Sequence, residues 1–467
     1  MSLFFFLFIL YYNNIKNATK MEYPGTHFTR PWRIALLTTF IMAFFIIAPL
    51  LVFYTSGYRY DFINGIVQET GSISIDILPK NSIAYLNNAK LKSKIPIRLK
   101  NIPPGKYKIK LTADGFYDWE KEIILENKHT AYIKEIKLIK KSEPIKIIDG
   151  QISNLYLSKN NNFLIYKKET KPNEFWLYNL ATNQQNLILK ETKKNDYQVN
   201  WSPTNNFASI NSGDFSSIYI INPTAPEKTW NLAAEEKNKI TNFHWNNSNQ
   251  SEIFYSTKNQ LVVIDPTTRQ KSLIGKNDFL DWYVDKGQIW GLKNNSLDDY
   301  LLIITDAFGF SSNFAKLNNP QNDKEKKWEI IYASGKEILL KKVGFSEMII
   351  ATQDKQYNFF GEKFLLSGYN HWQIMWTPWE LTTYSNQEAP YLLNRSGEQL
   401  HKVIVLDEYN TLGLIWADKM TALFPYYFVN HLLINKKIND AVADSQKREL
   451  YFSADINDQN GIWKMQY

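Results

Sequence analysis

One run of side chains in this 467-residue chain has the composition of a metal site. Residues 455–461 read Asp-Ile-Asn-Asp-Gln-Asn-Gly, and in a calcium loop such oxygen-bearing side chains also precede a glycine. The glycine is displaced by one position, and no glutamate follows at the distance that would complete the ligand set. An Asn-Gly pair between apolar strands is typical of a tight hairpin. The run therefore favours a polar hairpin between Phe452 and Ile462, and we expect no metal ion.

The other groups with chemical potential are scattered. Gly344-Phe-Ser346 and Gly309-Phe-Ser311 lack the second glycine of a nucleophile elbow. The chain has no cysteine, which excludes thiolate nucleophiles and disulfides. No two histidines have the spacing of metal ligands; they are His27, His129, His244, His371, His401 and His431. The sequence therefore predicts no catalytic residue, no cofactor and no enzyme.

Two groups of residues remain as candidate binding sites. Trp372, Trp376 and Trp379 form the densest aromatic cluster, which could stack on sugars or hold a peptide. Tryptophans in a repeat also fill the core between sheets, and we favour that interpretation. From Lys80 to Lys110 the chain has nine basic residues and no acidic one. The candidates for contact with an anionic surface are Lys90, Lys92, Lys94, Lys106, Lys108 and Lys110. Because the last three alternate with apolar residues, a solvated strand face is the favoured alternative.

The segment that positions these groups relative to a membrane is Ile34 to Tyr54. It has 21 residues without a charge, enough to cross a hydrocarbon core of about 30 Å. Basic residues precede the segment, at Lys16, Lys20, Arg30 and Arg33, whereas only Arg59 follows closely. The positive-inside rule therefore predicts a cytoplasmic N-terminal tail (1–33), an uncleaved membrane helix (34–54) and extracytoplasmic domains after it. Nucleic acid is not an expected partner.

The first residues of the chain allow two interpretations. Residues 2–12 are apolar but too short to span a bilayer. Met21 is followed by a short basic tail of conventional form, so we favour Met21 as the true initiator. The alternative is a second segment that dips into the membrane.

Residues 71–117 alternate apolar and polar side chains in several short runs, which is the pattern of strands with one buried face. Pro104-Gly105 and Asp114-Gly115 supply the turns. The order of these runs resembles the PEGA domain, a small β-sandwich of bacterial surface and envelope proteins. The resemblance implies a β-sandwich at 71–141, preceded by a linker at 55–70. It also implies a binding or display role.

A repeat of about 44 residues begins after Pro144. Leu157, Trp201 and Trp245 start copies at that spacing, each with a strand, a polar turn and a second strand. The period and the absence of helical spacing predict a β-propeller at 145–467. The copies resemble the WD40-like repeats of the TolB propeller. Fainter copies begin near Tyr283, Tyr332, Trp376 and Trp416, and a clear last copy begins at Ala443.

These motif starts favour eight blades over seven. Trp416 and Ala443 are only 27 positions apart, a gap that would hold a truncated blade. We expect Ile145 to Ile148 to complete the last blade and close the ring. We also expect Trp201, Trp245 and Trp416 to occupy equivalent positions.

The sequence thus predicts a mainly β protein with one transmembrane helix. The leading functional hypothesis is a non-enzymatic, membrane-anchored envelope protein that binds an unknown protein or an anionic envelope polymer. The alternative is a propeller-type hydrolase, a glycosidase or peptidase, acting outside the membrane.

Overall fold

The computed structural model describes residues 29–61, 65–192, 196–248, 251–294, 299–306, 310–318, 328–369, 372–385 and 388–467. The interpretations of residues 2–12 and of Met21 lie outside these ranges. Two compact units are present. The first contains the described residues up to Ile75, with Ile97–Tyr107 and Ile123–Ile133; the second contains Asp76–Pro96, Lys108–Glu122 and Lys134–Tyr467. The fold is mainly β.

Helix α1 (Arg30–Thr55) contains the predicted span. Pro31 lies in its first turn, where a missing N–H costs nothing, and Pro49 lies inside it. The hydroxyls of Thr38 and Thr39 donate to the carbonyls of Ile34 and Ala35 (both 2.8 Å), so the helix satisfies the hydrogen bonds of these polar side chains itself. None of its side chains is buried by protein. Among the described residues, α1 is the one helix long and apolar enough to cross a membrane, a property that signal sequences share.

The expected linker at 55–70 contains structure of its own. Strands β1 (Tyr58–Asp61) and β2 (Ile66–Glu69) pair antiparallel. The Arg59 guanidinium lies 3.7 Å from the centroid of the Tyr54 ring and donates to the Tyr54 carbonyl at 2.6 Å. These contacts attach the hairpin to the C-terminal end of α1.

Residues 71–137 form two small sheets, which correspond to the predicted module. The first has the order β6–β3–β9 and the second β5–β4–β7–β8. In β3, Ile73, Ile75 and Ile77 are buried, as the alternation predicted. The strands are β3 (Gly71–Leu78), β4 (Ile83–Leu86), β5 (Ala89–Lys90), β6 (Ile97–Ile102), β7 (Gly105–Thr112), β8 (Trp119–Leu125) and β9 (Thr130–Lys137).

The described part of residues 145–467 forms eight four-stranded antiparallel sheets, numbered here in chain order. The first four are β11–β14 (Ile152–Leu157, Phe163–Lys168, Lys171–Asn179, Gln184–Lys190), β15–β18 (Tyr197–Trp201, Ala208–Ser212, Ile218–Ile221, Trp230–Asn231), β19–β22 (Ile240–Trp245, Ile253–Thr257, Gln260–Ile264, Lys271–Lys276) and β23–β26 (Asp281–Asp285, Gln288–Asn294, Asp299–Thr305, Ser311–Asn318). A one-turn helix α2 (Leu232–Glu235) follows β18.

The last four sheets follow the same up-and-down order. They are β27–β30 (Trp328–Ser334, Glu337–Lys342, Glu347–Ala351, Gln356–Phe360), β31–β34 (Lys363–Leu366, Gln373–Trp376, Glu380–Tyr384, Tyr391–Arg395), β35–β38 (Leu400–Val405, Leu412–Trp416, Met420–Phe424, Val429–Ile434) and β39–β41 (Ile438–Asp444, Glu449–Ile456, Gln459–Gln466) with β10 (Ile145–Asp149). Consecutive sheets of this kind make a β-propeller.

The eighth sheet takes its outermost strand from the start of the repeat region. Strand β10 pairs antiparallel with β41, with Ile145 opposite Lys464 and Asp149 opposite Gly461. This is the pairing that the sequence predicted for ring closure. A Cβ atom at position 461 would lie 2.4 Å from the carbonyl oxygen of Ile148, which is too close. The pairing of β10 with β41 therefore requires a glycine at Gly461.

The prediction that Trp416 is equivalent to Trp201 and Trp245 is wrong. Trp201 and Trp245 end the first strands of their sheets, β15 and β19, whereas Trp416 ends β36, a second strand. Trp376 also ends a second strand, β32. The hydrophobic ends of β32 and β36 therefore resemble the motif, although the motif belongs to the end of a first strand. The 27-residue spacing therefore marks no truncated blade, and the last sheets each have four strands.

The indole N–H groups show which tryptophans are related. Those of Trp201, Trp245 and Trp282 donate to the preceding sheet: to the Tyr156 carbonyl (3.2 Å), the Ser209 hydroxyl (3.1 Å) and the Ser256 hydroxyl (3.0 Å), respectively. By contrast, the indole of Trp416 donates within its own sheet, to Thr421 (2.9 Å). Trp282 therefore makes the same kind of hydrogen bond between sheets, although it is the second residue of β23 and not the last.

Candidate functional site: one face of the propeller

In an up-and-down sheet, the turns after the first and third strands lie at the same end, because each turn reverses the chain. We call this end of the sheets the docking face. In the seventh sheet it carries the turn before Thr411 and the turn around Tyr427. Part of the small module contacts this face, and all the residues involved belong to the second compact unit.

Tyr427 makes the central contact with the module. Its hydroxyl accepts a hydrogen bond from the backbone N–H of Lys134 (2.9 Å) and donates to the carbonyl of the same residue (2.7 Å). Its ring meets the buried Trp119 edge-on, with centroids 5.3 Å apart and an interplanar angle of 89°. Glu135, next to Lys134, has a φ of 60°, and it distorts the edge strand β9 where the Tyr427 hydroxyl binds. One side chain thereby satisfies both polar groups of an edge-strand residue.

Charged groups reinforce this contact. The Lys137 ammonium lies 2.5 Å from the Glu408 carboxylate and 5.7 Å from the Tyr409 ring centroid. Burial raises the pKa of Glu408, but its hydrogen bond with Lys137 and the positive charges of Lys137 and Arg448 contribute to a combined effect that leaves the pKa below its usual value. Farther along, the Ser142 hydroxyl donates to the Gln466 carbonyl at 2.5 Å. The contact thus extends across the seventh and eighth sheets.

Beside this contact lies a set of residues that we call the aromatic turn site: Trp372, Tyr426, Tyr369, Asn410 and Ser445. The rings of Trp372 and Tyr426 meet with centroids 5.2 Å apart, and Tyr426 is 46% exposed. Asn410 is fully buried, and its Oδ1 accepts from the Ser367 hydroxyl. The hydroxyls of Tyr369 and Ser445 are 2.9 Å apart. Turns of the sixth, seventh and eighth sheets contribute these residues.

The carboxylates beneath the docking face stabilise turns. Asp407 Oδ1 accepts from the backbone N–H groups of Tyr409 and Thr411 (both 3.0 Å). Asp444 Oδ1 accepts from the N–H groups of Gln446 and Lys447 (both 3.0 Å). Burial raises the pKa of Asp407 and lowers that of Arg448. Side chains engaged in this way are suited to holding the surface rigid.

The predicted tryptophan cluster does not form one patch. Trp372 lies on the docking face, directly before β32. Trp376, at the other end of β32, is only 6% exposed and belongs to a core cluster, as the favoured interpretation had it. Trp379 follows in the turn after β32 and is 47% exposed at the opposite end of the sheet. The partner of Trp372 is Tyr426, which lies 54 positions away and carries no local sequence signal.

The predicted basic strip divides into two groups. Lys108 and Lys110 form ion pairs with Glu120 (2.5 Å) and Asp118 (2.8 Å) on the neighbouring strand β8 and the turn before it. The hydrogen bond with Asp118 raises the pKa of Lys110. Lys106 is exposed, and so are three lysines around β5: Lys90, Lys92 and Lys94. The acidic partners lie outside the segment that appeared free of negative charge.

We predict that only the β5 group contributes to contact with an anionic surface. In the full chain held in neutral-lipid nanodiscs, K90Q/K92Q/K94Q should weaken cosedimentation with phosphatidylserine vesicles, because each exposed lysine near such a surface contributes about 1 kcal/mol. K108Q/K110Q is the matched control and should change binding less, since those charges are already neutralised. Wild-type binding should fall as salt rises. Equal losses in both variants, or none in either, would contradict the assignment.

The metal-like run at 455–461 is a hairpin, as predicted. Strands β40 and β41 pair through Ile456 and Gln459, and the turn is formed by Asn457 and Asp458 with φ values of 55° and 61°. The turn therefore precedes the Asn-Gly pair that suggested it. Among the described residues there is no group of three or more His, Asp or Glu side chains placed to hold a metal.

The chain is similar to one domain family and to several solved structures. The PEGA domain model matches residues 70–140. The Cps50 (Swd1) β-propeller of Myceliophteria thermophila is 9% identical, with 70% of this chain and 100% of that chain covered and a TM-score of 0.43. Saccharomyces cerevisiae Sqt1 is 8% identical (69% and 98% covered, TM-score 0.45). Porphyromonas gingivalis dipeptidyl peptidase 4 is 9% identical (66% and 56% covered, TM-score 0.43). No curated protein matches the chain.

Proposed function

We propose that this protein is a non-enzymatic, membrane-anchored envelope protein that uses its propeller to bind a protein or a surface polymer outside the membrane. The observation that carries the proposal is the docking face. It combines a partly exposed aromatic pair with hydroxyl groups, while its buried carboxylates Asp407 and Asp444 cap turns. A rigid surface of this composition is suited to recognition. We take the eight sheets to be the blades of one ring.

Helix α1 serves as the anchor in this proposal. Trp32 and Tyr54, near its two ends, are 65% and 59% exposed, which suits aromatic side chains at the two membrane interfaces. Basic residues precede the helix, and Arg59 is engaged with the Tyr54 carbonyl after it. The charge distribution supports a cytoplasmic N-terminus with both β domains outside.

This topology predicts that external protease removes the propeller. In spheroplasts expressing the full chain with a C-terminal epitope tag, added protease should destroy the tag signal while a cytoplasmic marker protein survives. A Gly65→Cys variant gives an independent readout, because the chain has no other cysteine and Gly65 lies outside the helix. It should react with a membrane-impermeant maleimide. A tag that survives until lysis, together with an unreactive Cys, would reverse the topology.

The alternative hydrolase would need either two carboxylates that converge on a substrate or a nucleophile with its base. Turnover of a bound polymer or peptide by the purified chain would overturn the non-enzymatic assignment.

A further inference from the structure

We infer that the aromatic turn site binds a carbohydrate, with Trp372 and Tyr426 stacking on the apolar face of a pyranose ring. This inference rests on the proposed function, since it names the ligand class of the same face. It differs from the cluster that the sequence suggested, because Trp376 is buried and Trp379 lies at the opposite end of the sheet.

The two rings form a preorganised stacking surface. Trp372 and Tyr426 meet at an interplanar angle of 61°, so they form an angled platform that combines a partly buried indole with a more exposed phenol ring. The Trp372 carbonyl accepts from the N–H of Ser367 (2.8 Å), which fixes one turn. The other turn is fixed through Tyr427 and its two hydrogen bonds with Lys134. A platform that is already ordered loses little conformational entropy when a ligand binds.

The polar groups around the platform match the hydroxyls of a sugar. Tyr369 and Ser445 provide two hydroxyls in mutual contact, and each can donate or accept. Asn410 is fully buried, and its Nδ2 has no hydrogen-bond acceptor among the described residues. Burial raises the pKa of the Tyr426 hydroxyl, and the Asn410 amide opposes that shift in part, so the amide lies beside this oxygen at the platform's edge.

The charge balance favours a neutral ligand. Glu408, the acidic residue next to this site, is neutralised by Lys137 at 2.5 Å. The buried Asp444 lies 3.8 Å from the exposed ammonium of Lys447. Both acidic residues therefore have a lysine partner. This surface suits a ligand with hydroxyl or acetamido groups.

The same geometry disfavours an extended peptide. Peptides that add to a sheet need an unpaired strand edge. The residues of the site belong to turns, and the nearby edge of β9 is occupied at Lys134 by the Tyr427 hydroxyl. Recognition here must come from ring faces and side-chain hydroxyls, which is how a polar ligand with an apolar face is held.

The test uses the full chain in neutral-lipid nanodiscs. It is first applied to an array of neutral hexose and N-acetylhexosamine oligosaccharides, and the best binder is then titrated by calorimetry. We expect W372A and Y426A each to weaken binding about tenfold, equivalent to ~1.4 kcal/mol. W379A is the matched control, since it removes an exposed tryptophan from the other end of the same sheet, and its affinity should equal that of the wild type. Y426F keeps the ring and should weaken binding less than Y426A.

Three outcomes would overturn the inference, and the first of them can arise in two ways. One is the absence of oligosaccharide binding; another is equal losses in W379A and W372A. A third is loss of affinity in W372A and Y426A accompanied by a lower midpoint of thermal unfolding, which would show damage to the fold. If a peptide library binds in a Trp372-dependent manner while the sugars do not, the ligand class is wrong and the proposed binding function stands. If neither kind of ligand binds, the proposed function fails with it.

Discussion

Replacing Trp282 by alanine should lower the free energy of unfolding by about 3–5 kcal/mol. The side chain is 1% exposed and lies in a cluster with Phe254, Val284 and Ile289, which spans two neighbouring sheets. Its indole N–H also donates to Ser256 in the preceding sheet at 3.0 Å. Truncation therefore leaves a cavity between blades and removes a buried hydrogen bond at the same time.

The measurement is the urea midpoint of the full chain in detergent, monitored by far-UV circular dichroism. Midpoints of variants with the same m-value can be compared directly as differences in stability. W379A is the matched control, because its side chain is 47% exposed and a surface substitution changes stability by about 0.5 kcal/mol at most. W416A should be as costly as W282A, since Trp416 is 4% exposed and packs in a core cluster with residues of both the sixth and the seventh sheets. A shift for W282A as small as that for W379A would contradict the packing described for the third and fourth sheets.

The sequence predicted the fold class because both parts of the molecule have strong local periodicity. The alternation in β3 and the 44-residue spacing of Trp201 and Trp245 each report on burial within a strand or between neighbouring sheets. Trp416 was assigned wrongly because it ends a hydrophobic second strand and so resembles the motif. Residue type and spacing do not indicate which strand of a sheet carries the tryptophan.

The site was less accessible to sequence analysis. Trp372 was identified, but its partner Tyr426 and the docking residue Tyr427 are far from it along the chain. Tyr427 bonds to Lys134, 293 positions away. Contacts between turns of different sheets depend on the closed fold and leave no periodic pattern. The ion pairs of Lys108 and Lys110 were missed for a simpler reason, because their acidic partners lie on the next strand.

In two places, an aspartate on the first strand of one sheet accepts hydrogen bonds from the first strands of both neighbouring sheets. The Asp281 carboxylate accepts from the Asn242 amide of the preceding sheet (2.8 Å) and from the Ile330 N–H of the following one (2.7 Å). Asp440 accepts from the Lys402 ammonium (2.6 Å) and the Leu155 N–H (2.8 Å) in the same manner. Because Asp440 has a cationic donor and Asp281 has only neutral ones, Asp281 retains an uncompensated cost of burial.

Asp281 and His244 give the stability of the protein two opposing pH dependences. Burial raises the pKa of Asp281 to about 6, so its ionisation makes the folded state less stable as pH rises from about 4 to 6. His244, whose ring lies 5.1 Å from that of Trp282, has its pKa lowered by burial to about 4. The unfolded chain therefore binds a proton that the folded chain does not, and stability is lost as pH falls from about 6.5 to 4. In the wild-type protein the two effects largely cancel between pH 4 and 6.

Single variants should separate these effects. Relative to the wild type, D281N should gain up to about 3 kcal/mol of stability between pH 4 and 7, since a shift of one pKa unit corresponds to 1.36 kcal/mol. Relative to the wild type, H244F should gain a similar amount of stability as pH falls from 6.5 to 4, because it lacks the imidazole that takes up a proton in the unfolded chain. Urea midpoints of both variants and the wild type, measured at several pH values, give these differences, and titrating groups elsewhere cancel in the subtraction. If the difference in stability between a variant and the wild type does not change with pH, the replaced side chain is solvated in the folded chain. The interface between the third and fourth sheets would then be open to water.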